Sequence, residues 1–335
     1  NYTLGGDMAC SGNGLIVEED DITIDCGGYS LSSDGSGRGI YASGADGLTI
    51  QNCAIDNFQT GILLENLDNP TIQDSTLTNN GVVFGDFSGI HMTSVDNAQI
   101  LNNDISRNDF GIVMEAVTNS EITDNTINSN SYQAVYMQNS NDNTISGGEI
   151  GNNNQECCSS GSGGVYLYAS TGNTIEGVYM HNNRYAAIYA DSDSDSLTIN
   201  MNNIDDNCGG EAGLYIYDAD NTTITNNNIT DGTGYGIEMY YSSGSRIASN
   251  DISRNTYSGI YIYGESEETS DHTIEDNTIS GNGLDGYDGV GIEIYYEDSM
   301  VIQNNIVADS YDGIYLYESS NNTVSGNTIE RNTYY

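Results

Sequence analysis

The chain has 335 residues, with six arginines, no lysine and 49 acidic residues, for a formal net charge of −43. That balance excludes nucleic acid and acidic lipid surfaces as partners, because phosphate binding needs clustered Lys and Arg, and the missing lysine excludes Schiff-base chemistry. So acidic a surface also repels itself unless screened, and with a Debye length of about 8 Å at ~0.15 M salt it implies salty surroundings or bound divalent cations.

In chain order, residues 1–38 form an irregular opening in which Ile16, Ile24 and Tyr29 trace a first coil. From residue 39 to 335 one unit recurs about every 23 residues. Its first anchor is a small residue followed by an aliphatic one: Gly39-Ile40, Gly61-Ile62, Gly89-Ile90, Gly111-Ile112, Ala134-Val135, Gly164-Val165, Ala187-Ile188, Gly213-Leu214, Gly236-Ile237, Gly259-Ile260, Gly291-Ile292 and Gly313-Ile314. In most units a second aliphatic follows ten residues later and a third five after that, as in Ile112, Ile122 and Ile127. Segments such as Gly313-Ile314-Tyr315-Leu316-Tyr317 alternate with the period of a strand, and no stretch has the period of a helix. The pattern predicts one all-β domain, a parallel β-helix of about thirteen coils with three short strands per coil. It is right-handed because parallel crossovers are. Insertions at 81–88, 151–163, 205–212 and 280–290 leave from one corner, and 264–272 leaves from the next.

Asparagines stand three residues after the second anchor, as at Asn202, Asn227, Asn250, Asn277 and Asn305, and three after the third, as at Asn108, Asn130, Asn207 and Asn255. Asn tolerates the left-handed backbone of a tight corner, and its amide can bond its counterpart one coil away. A structural role for these residues follows, not a ligand site.

No run of 18 apolar residues spans a membrane, no signal peptide is present, and a start at Asn1 reads as a mature or trimmed form. Sequons stand at Asn1, Asn221, Asn228 and Asn321, a weak signal in so Asn-rich a chain. Six cysteines form two groups, Cys10, Cys26 and Cys53, then Cys157, Cys158 and Cys208, with no zinc-site spacing. A bridge from Cys157 or Cys158 to Cys208 is preferred, with a vicinal Cys157–Cys158 bridge and free thiols as rivals, and either group leaves one thiol over. Cysteine use and charge together point to an oxidising exterior, extracellular or on the cell surface. The run Asp191, Asp193, Asp195 is either a solvated acidic turn or a structural Ca²⁺ site, for it lacks the glycine and distant glutamate of an EF-hand. Glu18 to Asp21 and Glu265 to Asp271 are weaker runs of the same kind. No cofactor is required.

The outward places of the first strand, one and three residues after its anchor, carry tyrosine through the later coils. After Tyr136 they hold Tyr166, Tyr168, Tyr189, Tyr215, Tyr217, Tyr240, Tyr261, Tyr263, Tyr295, Tyr315 and Tyr317, interrupted by Gln138, Asp191, Glu238 and Glu293. The plain reading is β-propensity with ring stacking between neighbouring strands. The other is a contact surface for sugar rings or a protein neighbour.

The opening motifs Cys10-Ser-Gly-Asn-Gly-Leu-Ile and Ile22-Thr-Ile-Asp-Cys26-Gly-Gly, with the later Gly-Ile-Tyr-Leu and Asn-Asn-Thr-Val-Ser-Gly-Asn-Thr-Ile coils, resemble the NosD-like right-handed β-helix proteins common on archaeal cell surfaces. The resemblance implies the fold. Its implied copper delivery fails on residues, because His91, His181 and His272 are scattered and Met92, Met114 and Met137 stack inward. Catalytic relatives on this fold resemble one another in motifs missing here: the basic residues of lyases, the Gly-His-Gly and Arg-x-Lys of hydrolases, the Asp-Pro-His of epimerases. Asp271-His272 reads as solvated loop. The expectation is therefore a noncatalytic structural or adhesive extracellular protein in salty water. It would self-associate head-to-tail or laterally, its end coils lacking caps, or bind cell-surface glycans. The alternative is a glycan-binding or polysaccharide-processing β-helix that uses the tyrosine strip.

Overall fold

A computed structural model describes residues 1–81, 87–154, 163–207, 212–264, 270–283 and 289–334. The body of each expected insertion, with Cys157, Cys158 and Cys208, lies outside these residues. The described residues contain 41 strands and no helix, and 13 of the strands follow the first-anchor position, which makes about thirteen coils. Two compact units divide the chain, one ending at Val165 and the other beginning at Tyr166.

In the first unit the first anchors pair in register, Ile40 with Ile62, Ile90, Ile112 and Val135. The second anchors run from Ile24 through Ile50, Ile72, Ile100 and Ile122 to Ile145. The third run from Leu31 through Ile55, Leu77, Ile105 and Ile127 to Ile150. Every one of them is buried. The opening segment is more regular than its sequence suggests: Tyr2–Thr3, Met8–Ala9 and Leu15–Val17 each pair with the coil that follows. There Leu15 aligns with Ile40, and Ile16 is 56% exposed, so Ile16 is not the anchor.

The second unit repeats the plan. First anchors align from Ile188 through Leu214, Ile237, Ile260 and Ile292 to Ile314. Second anchors run from Ile175 to Val324 and third anchors from Met180 to Ile329 in the same way. Aliphatic side chains thus stack on aliphatic or methionine side chains at the inner positions, and each one that is buried contributes about 1.5–3 kcal/mol; in the last coil Val324 and Ile329 are 46% and 47% exposed. The small residue before a first anchor is explained by its own coil and the next one closing on it. A Cβ at Gly236 would lie 2.5 Å from Ile252 Cγ2 and 2.6 Å from Gly259 O.

Corner chemistry is divided between adjacent residues, which departs from the expectation that the ladder asparagines take the left-handed backbone themselves. The residue before each one does so: Met201, Asn226, Ser249, Asp276 and Asn304 have φ between 55° and 59°. That frees Asn202, Asn227, Asn250, Asn277 and Asn305 to point inward. Asn227 Nδ2 donates to Ile199 O at 2.9 Å and to Asn250 Oδ1 at 3.0 Å, and its N–H donates to the same oxygen at 2.9 Å. Asn250 repeats the pattern toward Asn277, and Asn277 toward Asn305. The third-anchor corner carries a matching ladder through Asn80, Asn108, Asn130 and Asn153. A buried amide with every group paired stabilises the corner, whereas an orphaned one would cost about 1–3 kcal/mol.

Among the described residues one disulfide joins equivalent corners of neighbouring coils in the first unit, Cys26 to Cys53, with Cα atoms 4.7 Å apart. Cys10 is a free thiol.

Candidate functional site

The outward face of the first-anchor strands in the second unit carries two parallel columns. One reads Tyr189, Tyr215, Glu238, Tyr261, Glu293 and Tyr315, and the other reads Tyr217, Tyr240, Tyr263, Tyr295 and Tyr317. Strand alternation puts both columns outside, and parallel register puts like residues beside like. The rings form a continuous train. Tyr166 to Tyr189 is 5.2 Å, Tyr189 to Tyr215 is 4.5 Å and stacked, and Tyr215 to Tyr240, Tyr240 to Tyr261 and Tyr261 to Tyr295 are each 5.8 Å. Tyr168, Tyr315 and Tyr317 are exposed and the rest of the strip is half-buried.

Sequence reasoning missed a second set of rings. Tyr235 lies 4.9 Å from Tyr261 and 5.2 Å from Tyr257. Tyr241 and Tyr296, both with left-handed backbone, meet Tyr263 edge-on at 6.0 and 5.3 Å. They lie outside the one-and-three places, so the alternation rule could not find them.

Two carboxylates break the first tyrosine column, one coil either side of Tyr261. Glu238 is 6% exposed, beneath the rings, and accepts a hydrogen bond from Tyr240 Oη at 2.9 Å. Glu293 accepts from Ser258 Oγ at 2.5 Å and Tyr295 Oη at 3.0 Å. Burial, and then the charges of the two glutamates, push the Tyr261 phenol up to about 12 and raise Tyr235, Tyr240 and Tyr295 as well. These hydroxyls stay protonated near neutral pH and act as donors. Two strand spacings, about 9.5 Å of backbone, separate the glutamates, with Tyr261 on the strand between them. In sequence the pair was visible as exceptions to the tyrosine rule, but 55 residues separate its members and no motif joins them.

The acidic run is dispersed over separate tasks. Asp191 Oδ2 accepts from Tyr166 Oη at 2.7 Å, which makes it part of the strip, and Asp195 Oδ1 accepts from the Asp220 N–H at 2.8 Å. Asp193 sits in the left-handed region at φ 60°. Burial, with Asp193, Asp220, Asp195 and Asp191 around it, raises the Asp218 carboxyl. Among the described residues no group of three or more His, Cys, Asp or Glu side chains is placed to hold a metal ion. The sequon residues Asn1, Asn221, Asn228 and Asn321 are all exposed.

His272 is not solvated loop, as its sequence context suggests, but 1% exposed inside a corner. Its Nδ1 accepts from the Ser245 N–H at 3.1 Å, and its Nε2 lies 3.9 Å from Oε2 of the equally buried Glu297. Burial lowers the imidazole to about 4 and raises the Glu297 carboxyl to about 8. His91, His181 and His272 remain apart: His91 lies 3.4 Å from Glu115, and His181 stacks on Tyr179 at 4.7 Å. Met92, Met114 and Met137 are fully buried in register, as core.

No curated protein matches the chain. Among solved structures it resembles the A-module of the Azotobacter vinelandii mannuronan C-5 epimerase AlgE6, at 15% identity and TM-score 0.62, over 98% of this chain and 87% of that one. The periplasmic alginate epimerase AlgG, as a double mutant, matches at 13% identity and TM-score 0.54, over 91% and 74%. The catalytic domain of a GH87 α-1,3-glucanase in complex with tetrasaccharides matches at 16% identity and TM-score 0.52, over 97% and 63%. At these identities the likeness is one of fold. It nonetheless corrects the expectation of a noncatalytic chain, which rested on missing local motifs: the same fold carries carbohydrate-active enzymes, and stacked coils assemble sites from residues far apart in sequence. The right handed beta helix region matches residues 8–87, 88–218 and 212–335. With the register and the three-sheet coil in agreement, the chain belongs to the right-handed β-helix family.

Proposed function

We propose that this protein is a secreted carbohydrate-active β-helix that holds a glycan along the tyrosine face of the second unit and hydrolyses it between Glu238 and Glu293. The observation that carries the reading is the pair of carboxylates flanking Tyr261 within a continuous row of rings. Sugar C–H faces stack on phenol rings, and sugar hydroxyls pair with phenols and carboxylates. Of the two glutamates, one gives its proton to the glycosidic oxygen as the C–O bond breaks. The other takes a proton from the water that adds to the anomeric carbon. Their backbone separation of about 9.5 Å lies nearer the ~6.5–9.5 Å carboxyl spacing of a water-mediated inverting displacement than the ~5 Å of a covalent route. Solved structures of the same fold that act on polysaccharides support the reading. So does the Cys26–Cys53 disulfide, which favours an oxidising compartment. Among the described residues no helix is long and apolar enough to cross a membrane.

The test is a panel of polysaccharides assayed for new reducing ends. Activity on at least one, abolished in both Glu238→Gln and Glu293→Gln with folding retained, is the expected result. Activity that survives both substitutions would overturn the site.

A further inference from the structure

We propose that the glycan taken by this face is neutral, an uncharged hexose polymer, and that polyuronates and sulfated chains are rejected. The inference rests on the carbohydrate-active reading above and names its substrate class. An acidic polysaccharide brings an anionic group on each charged sugar, and each needs a cation or a dense set of donors once water is displaced. The chain has no lysine, and four of its six arginines fall in the second unit. None of these four lies on a tyrosine-bearing strand. Arg246, on Arg246–Ala248, donates to Glu275 at 2.9 and 2.6 Å. Arg254 holds Asp231 at 2.7 and 2.5 Å, and Arg331 holds Asp309 through two contacts of 2.8 Å. Arg184 lies over the Tyr185 ring at 5.3 Å, in the corner before the strand Ile188–Asp191.

What the face does present is Asp191 and Glu293 among hydroxyls, with Glu238 buried just beneath the rings. An incoming uronate would meet like charge with no counter-charge, beneath rings that lower the local dielectric and strengthen the repulsion. A neutral glycan answers the same groups. Its hydroxyls are the donors that acceptor-only carboxylates require, and its apolar ring faces match the tyrosine train. Charge therefore acts as a filter at this site, in addition to keeping the chain soluble.

Equilibrium binding with the full chain in about 1 M salt decides it, because screening at that strength confines the test to groups in contact. The probes are neutral glucan and mannan oligomers on one side and oligogalacturonate and oligomannuronate of equal length on the other. Each is repeated on Tyr261→Ala and on Tyr315→Ala, the second at an exposed ring whose removal leaves the core untouched. A neutral oligomer binding at least ~10-fold tighter than either oligouronate, and weakened by both substitutions, is the expected outcome. Oligouronate binding as tight or tighter, and weakened by the same substitutions, overturns neutrality and leaves the carbohydrate site standing. No binding by any probe, or binding indifferent to both substitutions, overturns the site and this inference with it.

Discussion

Replacing Asn250 by Asp tests whether the asparagine ladder holds the coils together. The substitution changes one NH₂ for an oxygen, with no change of shape. Asn250 is 2% exposed; its Nδ2 donates to Ile224 O at 2.9 Å and Asn277 Oδ1 at 3.0 Å, and its Oδ1 accepts from the Asn227 N–H and Nδ2. In Asn250→Asp the two donated bonds become contacts between acceptors, and a buried carboxylate replaces a neutral amide. Two lost hydrogen bonds, each replaced by a buried contact between acceptors at about 1–3 kcal/mol, give a loss of ~2–6 kcal/mol at neutral pH, although Asn277 Oδ1 still accepts from the residue 250 N–H. The new carboxyl binds its proton more tightly in the folded state than in the unfolded one. Its penalty is therefore smallest in acid and grows as pH rises through the unfolded value near 4. Urea unfolding followed by far-UV circular dichroism at pH 4 and pH 7 reads both effects. Asn226→Asp is the control: Asn226 is exposed, it bonds Asn200 at 2.9 Å, and the substitution adds the same charge. It is expected to change stability by less than about 1 kcal/mol. If the two substitutions have equal effects at pH 7, the ladder contributes no more than the added charge, and the reasoning fails.

Other consequences follow from single features. The proton on Glu297, held up to about 8 by burial, contributes stability that is full below the unfolded carboxyl value near 4.5 and lost as pH rises toward 8. His272, lowered to about 4, acts in the opposite sense, its contribution complete above about 6.5 and lost as pH falls through 4. The two offset one another between these limits. A net fall in melting temperature from pH 6.5 to 8 is therefore expected in the native chain, and it should vanish in Glu297→Gln; an unchanged slope in that variant would refute the assignment. Breaking the Cys26–Cys53 bridge with Cys53→Ser reopens a loop spanning 27 residues, worth about 3.5 kcal/mol by chain entropy. Hydrogen exchange should then rise in the first coils while the second unit stays protected. With a net charge of −43, lowering salt from molar to millimolar concentration should depress the melting temperature. Indifference to salt would remove self-repulsion from the account.

The coil was legible in the sequence because its information is local. An aliphatic residue at each of three fixed offsets, a small residue before the first and an asparagine after the second and third specify one turn, and repetition specifies the stack. Register followed as well, since shifting any strand by one residue would expose its anchor. The tyrosine strip was legible for the same reason, as a strand alternation read twelve times. What repetition could not supply were the departures from itself. The left-handed residue at each corner varies among Met, Asn, Ser and Asp, so the sequence credited the ladder asparagine with both tasks. Ile16 was taken for an anchor because it is apolar, although pairing puts Leu15 in line with Ile40. His272 looked like loop, and its burial depends on the corner of the neighbouring coil that closes over it. Glu238 and Glu293 come together across Tyr261 because parallel strands lay residues of different coils side by side. Contacts along the solenoid axis join residues more than twenty positions apart, so tertiary structure alone decides which unlike side chains become neighbours.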